Sequence, residues 1–443
     1  MTRSGRTVAV PLALLAVVLS ARRAPAQQEL TREERRIADY VDAHHEEAVA
    51  LLERMVNINS GTSNPQGVRM VADVLAAELR PLGFAVRLVP MDSVQRGPHL
   101  IAERRGSRGK RLLLIGHLDT VFEMDNPFQR FERMGEVAHG PGVEDMKGGD
   151  VAIVYALKAL HGARALDGAA ITVVFTGDEE APGRPLGTSR RDLIEAGKRS
   201  DIALGFEAGS RDQHGEYAVV ARRSSSQWTL RVTGTPAHSS RVFGAHVGAG
   251  AIYETARILN GFYSTLAGEE NLTFNPGVIV GGTEITFDEA AAAGTAFGKT
   301  NVVAEHARVE GDIRTLTDEQ LRHTRQRMRD VVATSLPGTK AEIDFRDSYP
   351  SMSPTDANKA LLSLYDDVSR DLGYGPVLPH DPARRGAADV SFVAPYVPGL
   401  DGLGPQGSGG HTVEERIELS SLARATKRAA LMIYRLTREK PVL

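Results

Sequence analysis

The chain has 443 residues, 53 basic against 56 acidic, 42% hydrophobic residues and no cysteine. At ~100 to 200 residues per domain the length calls for two or three domains. The hydrophobic share, with charged residues at 25%, excludes a disordered or fibrous polymer, and the near balance of charge gives no basic footprint of a nucleic-acid binder. Without cysteine there are no disulfides, thiolate metal sites or thiol nucleophiles, so any bound metal must be held by histidine and carboxylate.

In chain order, Arg3 and Arg6, the apolar run 8–19 and Ala24-Pro25-Ala26 read as a cleavable export signal over residues 1–26. The run is shorter than the ~20 residues needed to span a bilayer. Cleavage before Gln27 removes four arginines and no acids, taking the formal charge from −3 to −7. The expected location is the periplasm or the exterior, with no stable membrane anchor left. Thr31-Arg-Glu-Glu34 is a capping box opening an amphipathic helical stretch, with Ile37, Val41, Ala48, Leu51, Leu52 and Val56 near helical spacing. A second helix is expected to end near Arg80, before Pro81. Residues 112–115, 171–175 and 202–206 are short apolar runs typical of buried strands, separated by helical segments of which 151–160 is the clearest. That alternation predicts an α/β fold with a mostly parallel sheet flanked by helices.

The pattern changes near Tyr217. Residues 228–232 and 302–315 alternate apolar and polar, with a helix expected from about Ala245 to Leu266 between them, as in an antiparallel α+β module. At Thr317-Asp-Glu-Gln320 a further capping box marks the expected return of α/β character. The organisation expected is a signal at 1–26, a discontinuous catalytic domain at 27–216 and 318–443, and an inserted α+β domain at 217–317.

The residues that carry chemistry stand where these runs end. The stretch RLLLIGHLDTV (111–121) finishes in His117-Leu-Asp119, at the carboxyl end of a strand, where α/β sheets present ligand sites. Two residues apart on extended chain, both side chains point the same way, so Asp119 is able to accept the second ring proton of His117. Alone, this pair is more simply a turn with a satisfied histidine. HGPGVEDMKGGD (139–150) sets Asp145 in a glycine-rich loop before a helix, a plausible metal bridge; alone, a turn or N-cap aspartate is the simpler reading. ITVVFTGDEE (171–180) runs an apolar strand into three consecutive acids, whose repulsion needs a cation or a retained proton. Glu179 and Glu180 project differently, so one can ligate a metal while the other faces substrate as a base; a solvated acidic turn is the alternative. Glu207 ends the run LGFE, and His411 follows the glycine-rich loop 402–410. Two histidines and three carboxylates are the ligand inventory of a two-zinc hydrolase.

The GHLDTV, GPGVEDMKGG and TGDEE blocks, at these separations, resemble the dinuclear-zinc metallopeptidase family that includes bacterial glutamate carboxypeptidase, acetylornithine deacetylase, succinyl-diaminopimelate desuccinylase and aminoacylase. The likeness covers essentially the whole chain after Gln27. It implies two Zn2+ per subunit, a set that also accepts Co2+ or Mn2+. By resemblance His117 and Glu207 hold one ion, Glu180 and His411 the other, and Asp145 bridges them. Glu179 is then the general base and Asp119 the carboxylate that orients. The inserted domain looks like the family's lid and dimerisation domain. TGTPAHSS places His238 at a histidine that reaches the active site, in several members that of the partner subunit, to polarise the scissile carbonyl. GDIRT places Arg314 at the arginine for the substrate carboxylate, and Asn301 falls at a substrate-contacting asparagine. Alone, His238 and Arg314 read as surface or interface residues, although Arg314 does lie on the polar face of its strand.

The chain departs from the family in the lid. Asn301-Val-Val-Ala304 lacks a proline common there, a long segment at 282–299 precedes it, and Arg222-Arg223-Ser224 replaces a basic residue followed by glycine. These departures bear on substrate choice rather than on metal chemistry. The remaining ten histidines match no family site. The implied activity is hydrolysis of an amide beside a C-terminal carboxylate, by an exported carboxypeptidase resembling the glutamate carboxypeptidases. An N-acyl amino acid deacylase is the alternative within the same chemistry. A catalytically silent periplasmic binding protein would predict a broken ligand set. Expected partners are a small peptide or N-acyl amino acid and a second copy of the chain, with no nucleic acid.

Overall fold

Thr31 caps the helix Arg32–Ala43 as its sequence predicts: the hydroxyl accepts Glu34 N–H at 3.2 Å, and the Glu34 carboxylate accepts Thr31 N–H at 2.8 Å. The helical stretch breaks at His44 and resumes as His45–Val56. The helix Pro65–Leu79 stops ahead of Pro81. The computed structural model describes residues 29–289 and 291–438, so the expected export signal lies outside the described residues.

Six strands form the central sheet in the order Ala85–Met91, Arg96–Arg104, Ala169–Thr176, Arg108–His117, Ile202–Gly205, Gly399–Leu400. The first two pairings are antiparallel and the remaining three parallel. Alternate side chains of one strand feed two cores: Leu112 and Leu114 pack with the helices Gly148–Gly162 and Leu419–Leu436, while Leu113 and Ile115 pack with Leu193 and Val390 on the other face. A strand covered on both faces must be apolar throughout, which is why 112–115 is an unbroken run.

Register sets the functional rim. His117 pairs with Thr176 and Ile115 with Gly205, so three neighbouring strands finish at one level, and the segments after them leave from the same edge. A small sheet completes the rim. Arg416–Glu418 pairs with Gly407–Ser408 and with Val137–His139, which draws the loop carrying His411 toward the loop carrying Asp145. A Cβ on Gly149 would stand 2.0 Å from the Phe206 carbonyl, so only glycine lets the helix Gly148–Gly162 seat against the chain leading to Glu207.

The second unit is an antiparallel sheet in the order Thr273–Gly282, His306–Arg314, Ser226–Gly234, Thr339–Asp347. The helices Ala251–Leu266 and Asp318–Val332 pack with it around Trp228, Leu230, Ile258, Phe262, Val309 and Met328. The helix expected from about Ala245 starts six residues later, after Gly250 at φ +78°. Both expected boundaries of this unit move. Gly215–Ala218 pairs with Val377–Pro379, away from the four-stranded sheet. Residues 318–347, expected to return to the catalytic layer, remain in the second unit. Thr339–Asp347 pairs along Ser226–Gly234, and Met328 and Val332 bury in its core. The unit therefore occupies 226–347 instead of 217–317. The expected capping box at Thr317 forms as an N-cap, its hydroxyl accepting Gln320 N–H, and marks where a helix begins; it carries no information about which layer that helix joins. The segment 282–299 folds as a hairpin of Glu284–Asp288 and Ala293–Phe297. Among the described residues no helix is long and apolar enough to cross a membrane.

Candidate metal centre

The rim gathers the five predicted ligands into two triads that share Asp145. The candidate ligand atoms of His117, Asp145 and Glu207 all lie within 4.8 Å of one another, as do those of Asp145, Glu180 and His411. His117 Nε2 is 3.1 Å from Asp145 Oδ1 and 3.7 Å from Glu207 Oε1. His411 Nε2 is 3.0 Å from Asp145 Oδ2 and 3.2 Å from Glu180 Oε2. Asp145 thus turns one oxygen to each triad. His411 sits at φ +64°, in the left-handed region that residues other than glycine seldom adopt. Such outliers persist where surrounding structure imposes them, and they cluster at ligand sites.

Other side chains fix this arrangement. The buried Asp119 carboxylate accepts Glu179 N–H at 2.9 Å, Glu180 N–H at 3.1 Å and the Thr62 hydroxyl at 2.6 Å. His117 Nδ1 stands 3.0 Å from the Asp119 carbonyl and 3.4 Å from its Oδ1. Asp119 therefore orients the histidine and also pins the backbone of both neighbouring acids. Glu415 was not legible beforehand. Its buried carboxylate accepts the N–H groups of Gly142, Glu144 and Asp145 at 3.1, 2.8 and 3.0 Å, and so holds the bridging loop. The second of two adjacent glutamates, four residues after His411, gives no local signal. Behind Glu179, the buried Arg190 joins Asp178 and Asp389, the latter at 2.7 Å, while Tyr349 donates its hydroxyl to the Glu179 carbonyl at 2.5 Å. The cleft itself, about 370 Å³, is lined by the acids, His411 and two arginines that sequence reasoning did not select for the site, Arg222 and Arg385.

Burial, followed by the charge of Asp145, pushes the Glu207 carboxyl up to about 8. Burial likewise raises Glu179 and Glu180. It would lower His117, but hydrogen bonds to Asp119 and Asp145 outweigh it and hold that imidazole well above its usual value. Hydrogen bonds to Asp145 and Glu180 take His411 to about 11. Asp145 goes the other way: burial is overcome by its bonds to the two histidines, which keep it well below the carboxylate range. The cluster thus demands positive charge, and protonated imidazoles stand in for it. Glu180 Oε1 is buried with no hydrogen-bond partner among the described residues. A bare buried acceptor, three convergent carboxylates and two imidazoles fit a pair of divalent cations of the zinc type.

The three residues assigned to substrate are not brought here, since no described residue of 226–347 lines the cleft. His238 is exposed, with Nδ1 2.8 Å from Ser240 Oγ. Asn301 lies beside it, its carbonyl accepting Ser239 N–H at 2.8 Å. Arg314, partly exposed, keeps its Nε 3.1 Å from Asp312 Oδ2.

The model of peptidase family M20/M25/M40 matches residues 113–435. Carboxypeptidase G2 of Pseudomonas sp. (strain RS-16) is 26% identical over 394 residues, covering 87% of this chain and 88% of that one. A succinyl-diaminopimelate desuccinylase of Alkalilimnicola ehrlichii is 28% identical over 358 residues, covering 79% and 89%. Among solved structures, aminopeptidase PepT of Bacillus cereus superposes with a TM-score of 0.67 at 17% identity, over 88% of this chain and 98% of that one. A dinuclear metal binding peptidase of Bacillus subtilis gives 0.62 at 15% identity, over 90% and 100%.

Proposed function

The chain belongs to peptidase family M20/M25/M40, and from that membership we propose an exported dinuclear metallohydrolase that releases a C-terminal amino acid, a carboxypeptidase. The observation that carries the proposal is the pair of triads sharing Asp145 with Glu179 beside them. Similarity to carboxypeptidase G2 along most of both chains favours peptide substrates. Similarity to desuccinylases favours the second reading, an N-acyl amino acid deacylase. Export to the periplasm or beyond rests on the composition of residues 1–26.

His117 and Glu207 would hold one divalent ion, Glu180 and His411 the other, and Asp145 both. When bound, the ions polarise the scissile carbonyl and acidify water. The chain's own residues do the rest. Glu179, desolvated on a loop pinned by Asp119 and Tyr349, takes the proton of the attacking water and returns it to the leaving amine. In the metal-free protein burial raises its carboxyl above the usual range. Asp119 holds the Nδ1 side of His117, which leaves Nε2 facing the site. Arg314 grips the substrate carboxylate and His238 steadies the oxyanion once the lid unit approaches. The exposed Ile252, Tyr253 and Tyr263 of the helix Ala251–Leu266 support a homodimer through that unit.

A panel of dipeptides and N-acyl amino acids, varied at the C-terminal residue and run with and without chelator, tests the proposal. Hydrolysis should vanish on chelation and return with zinc. Activity that survives prolonged chelation would overturn it. Faster cleavage of dipeptides than of acyl amino acids selects the carboxypeptidase; the reverse selects the deacylase.

A further inference from the structure

We propose that Tyr349, on the hinge between the two units, is a positioning residue for Glu179 and makes the placement of that base depend on the position of the lid unit. The inference rests on the hydrolase reading and adds a residue that acts on Glu179 through its backbone. The chain enters the lid unit through 222–226 and leaves through 347–352, and these two crossings pair with each other. Arg222 N–H and Met352 N–H each donate to the other's carbonyl at 2.9 Å. Ser225 N–H donates to the Tyr349 carbonyl at 2.9 Å, and Ser348 N–H to the Ser225 carbonyl at 3.2 Å. Ser224 N–H donates to the Thr315 carbonyl at 2.7 Å, which brings the strand ending in Arg314 into the same ladder. The backbone of Tyr349 therefore belongs to the ladder that carries the lid.

Its side chain belongs to the catalytic unit. The ring is buried with Leu193 and Val390, its centroid 5.0 Å from that of Phe392. The hydroxyl accepts Arg190 Nη2 at 3.1 Å and donates to the Glu179 carbonyl at 2.5 Å. Arg190 is itself fixed by Asp178 and Asp389. A guanidinium only donates, so the tyrosine proton has the Glu179 carbonyl as its acceptor. Glu179 is thus held at both ends of its backbone, its N–H by Asp119 on the sheet rim and its carbonyl by Tyr349 on the hinge. A second strap lies five residues on. Arg184 Nη1 donates at 2.8 Å to the carbonyl of Asp347, the last residue of the lid strand Thr339–Asp347. The segment 179–184 therefore runs from the metal centre to the hinge, and a turn of the hinge shifts Glu179. Misplacing a catalytic group by about 1 Å costs about 100-fold in rate, so a small turn is enough. A tyrosine that only filled this core would need no hydroxyl: Arg190 Nη2 also donates to the Asp178 carbonyl at 3.1 Å and keeps that acceptor in Tyr349→Phe.

The test compares the wild type, Y349F, R184Q and the double variant as zinc-loaded full-length proteins, on whichever dipeptide or N-acyl amino acid of the panel the wild type cleaves fastest. Y349F should lower kcat about 10- to 100-fold with KM and zinc content kept. R184Q should lower kcat about threefold. The double variant should stay within about twofold of Y349F, because both straps act on one segment. A wild-type kcat in Y349F, a loss confined to KM or zinc content, or losses that multiply in the double variant would overturn the proposal. Amide hydrogen exchange reads the strap without turnover: over 178–184 Y349F should exchange about tenfold faster than the wild type, with Ile202–Gly205 unchanged. S225P deletes the N–H that joins Tyr349 to the ladder, and should speed exchange over 178–184 although Ser225 forms no hydrogen bond with that segment among the described residues. Wild-type exchange there in Y349F refutes the strap, and in a folded S225P it refutes the link to the lid. If the wild type cleaves no member of the panel, the hydrolase reading fails, and exchange decides the strap by itself.

Discussion

The rim of the central sheet and the second unit hold their polar residues in opposite ways. At the rim three of the five predicted ligands are fixed from a second direction: His117 by Asp119, Asp145 by Glu415 through its backbone, Glu180 by Asp119 through its N–H. In the second unit His238, Asn301 and Arg314 stand at or near the surface, with partners inside that unit: Ser240 for His238, Ser239 for Asn301 and Asp312 for Arg314. Mutually repelling carboxylates stay together only if the surrounding fold holds them before the cation arrives. Groups that meet the substrate need to be in place only while the substrate is present, so they can ride on a unit that closes over it.

Mutations at the rim should therefore remove turnover or metal, whereas mutations in the second unit should leave the metal bound, those at Arg314 and Asn301 changing substrate binding and those at His238 lowering turnover. The largest effect is expected from Glu179→Ala, with kcat falling about 10³-fold while both ions stay bound. Substantial turnover by the zinc-replete variant would break the assignment of the base. Glu415→Gln weakens the clamp on the Asp145 loop and should lower metal affinity or activity about 10- to 100-fold, read by zinc titration beside kinetics. Arg314→Gln should raise KM about tenfold with kcat and zinc content kept; a loss of metal there would erase the contrast between the two regions. The smallest effect is a proton count. In the metal-free protein at pH 7, Glu207, at about 8, and His411, at about 11, both hold protons that a bound cation must displace. Metal affinity should therefore rise with pH between 6 and 8, and the Glu207 share of that slope should disappear above 8. Calorimetry in buffers of different ionisation enthalpy measures the release; a pH-independent affinity would contradict these protonation states.

What was legible in the sequence follows the same division. His117, Glu180 and Glu207 could be read because apolar runs end abruptly in polar residues, and a buried strand announces where it stops. The parallel character of the sheet was legible for the same reason. Glu415, Arg222 and Arg385 were not, because their roles depend on contacts with residues far away in the chain, such as Glu415 with Gly142 or Arg222 with Asp401. The extent of the second unit failed for a related cause. The helix from Asp318 has a clear local start, and its membership is decided only by Met328 and Val332 packing beneath strands elsewhere in the sequence.

The most direct test of the account is the zinc stoichiometry of the full-length protein after dialysis against low free metal, for the wild type, Glu207→Ala, His411→Ala and Asp145→Ala. The account predicts two ions in the wild type, one retained in each of the two terminal-ligand variants, and loss of both with all turnover in Asp145→Ala. Two ions retained by Asp145→Ala, or a single ion in the active wild type, would contradict it.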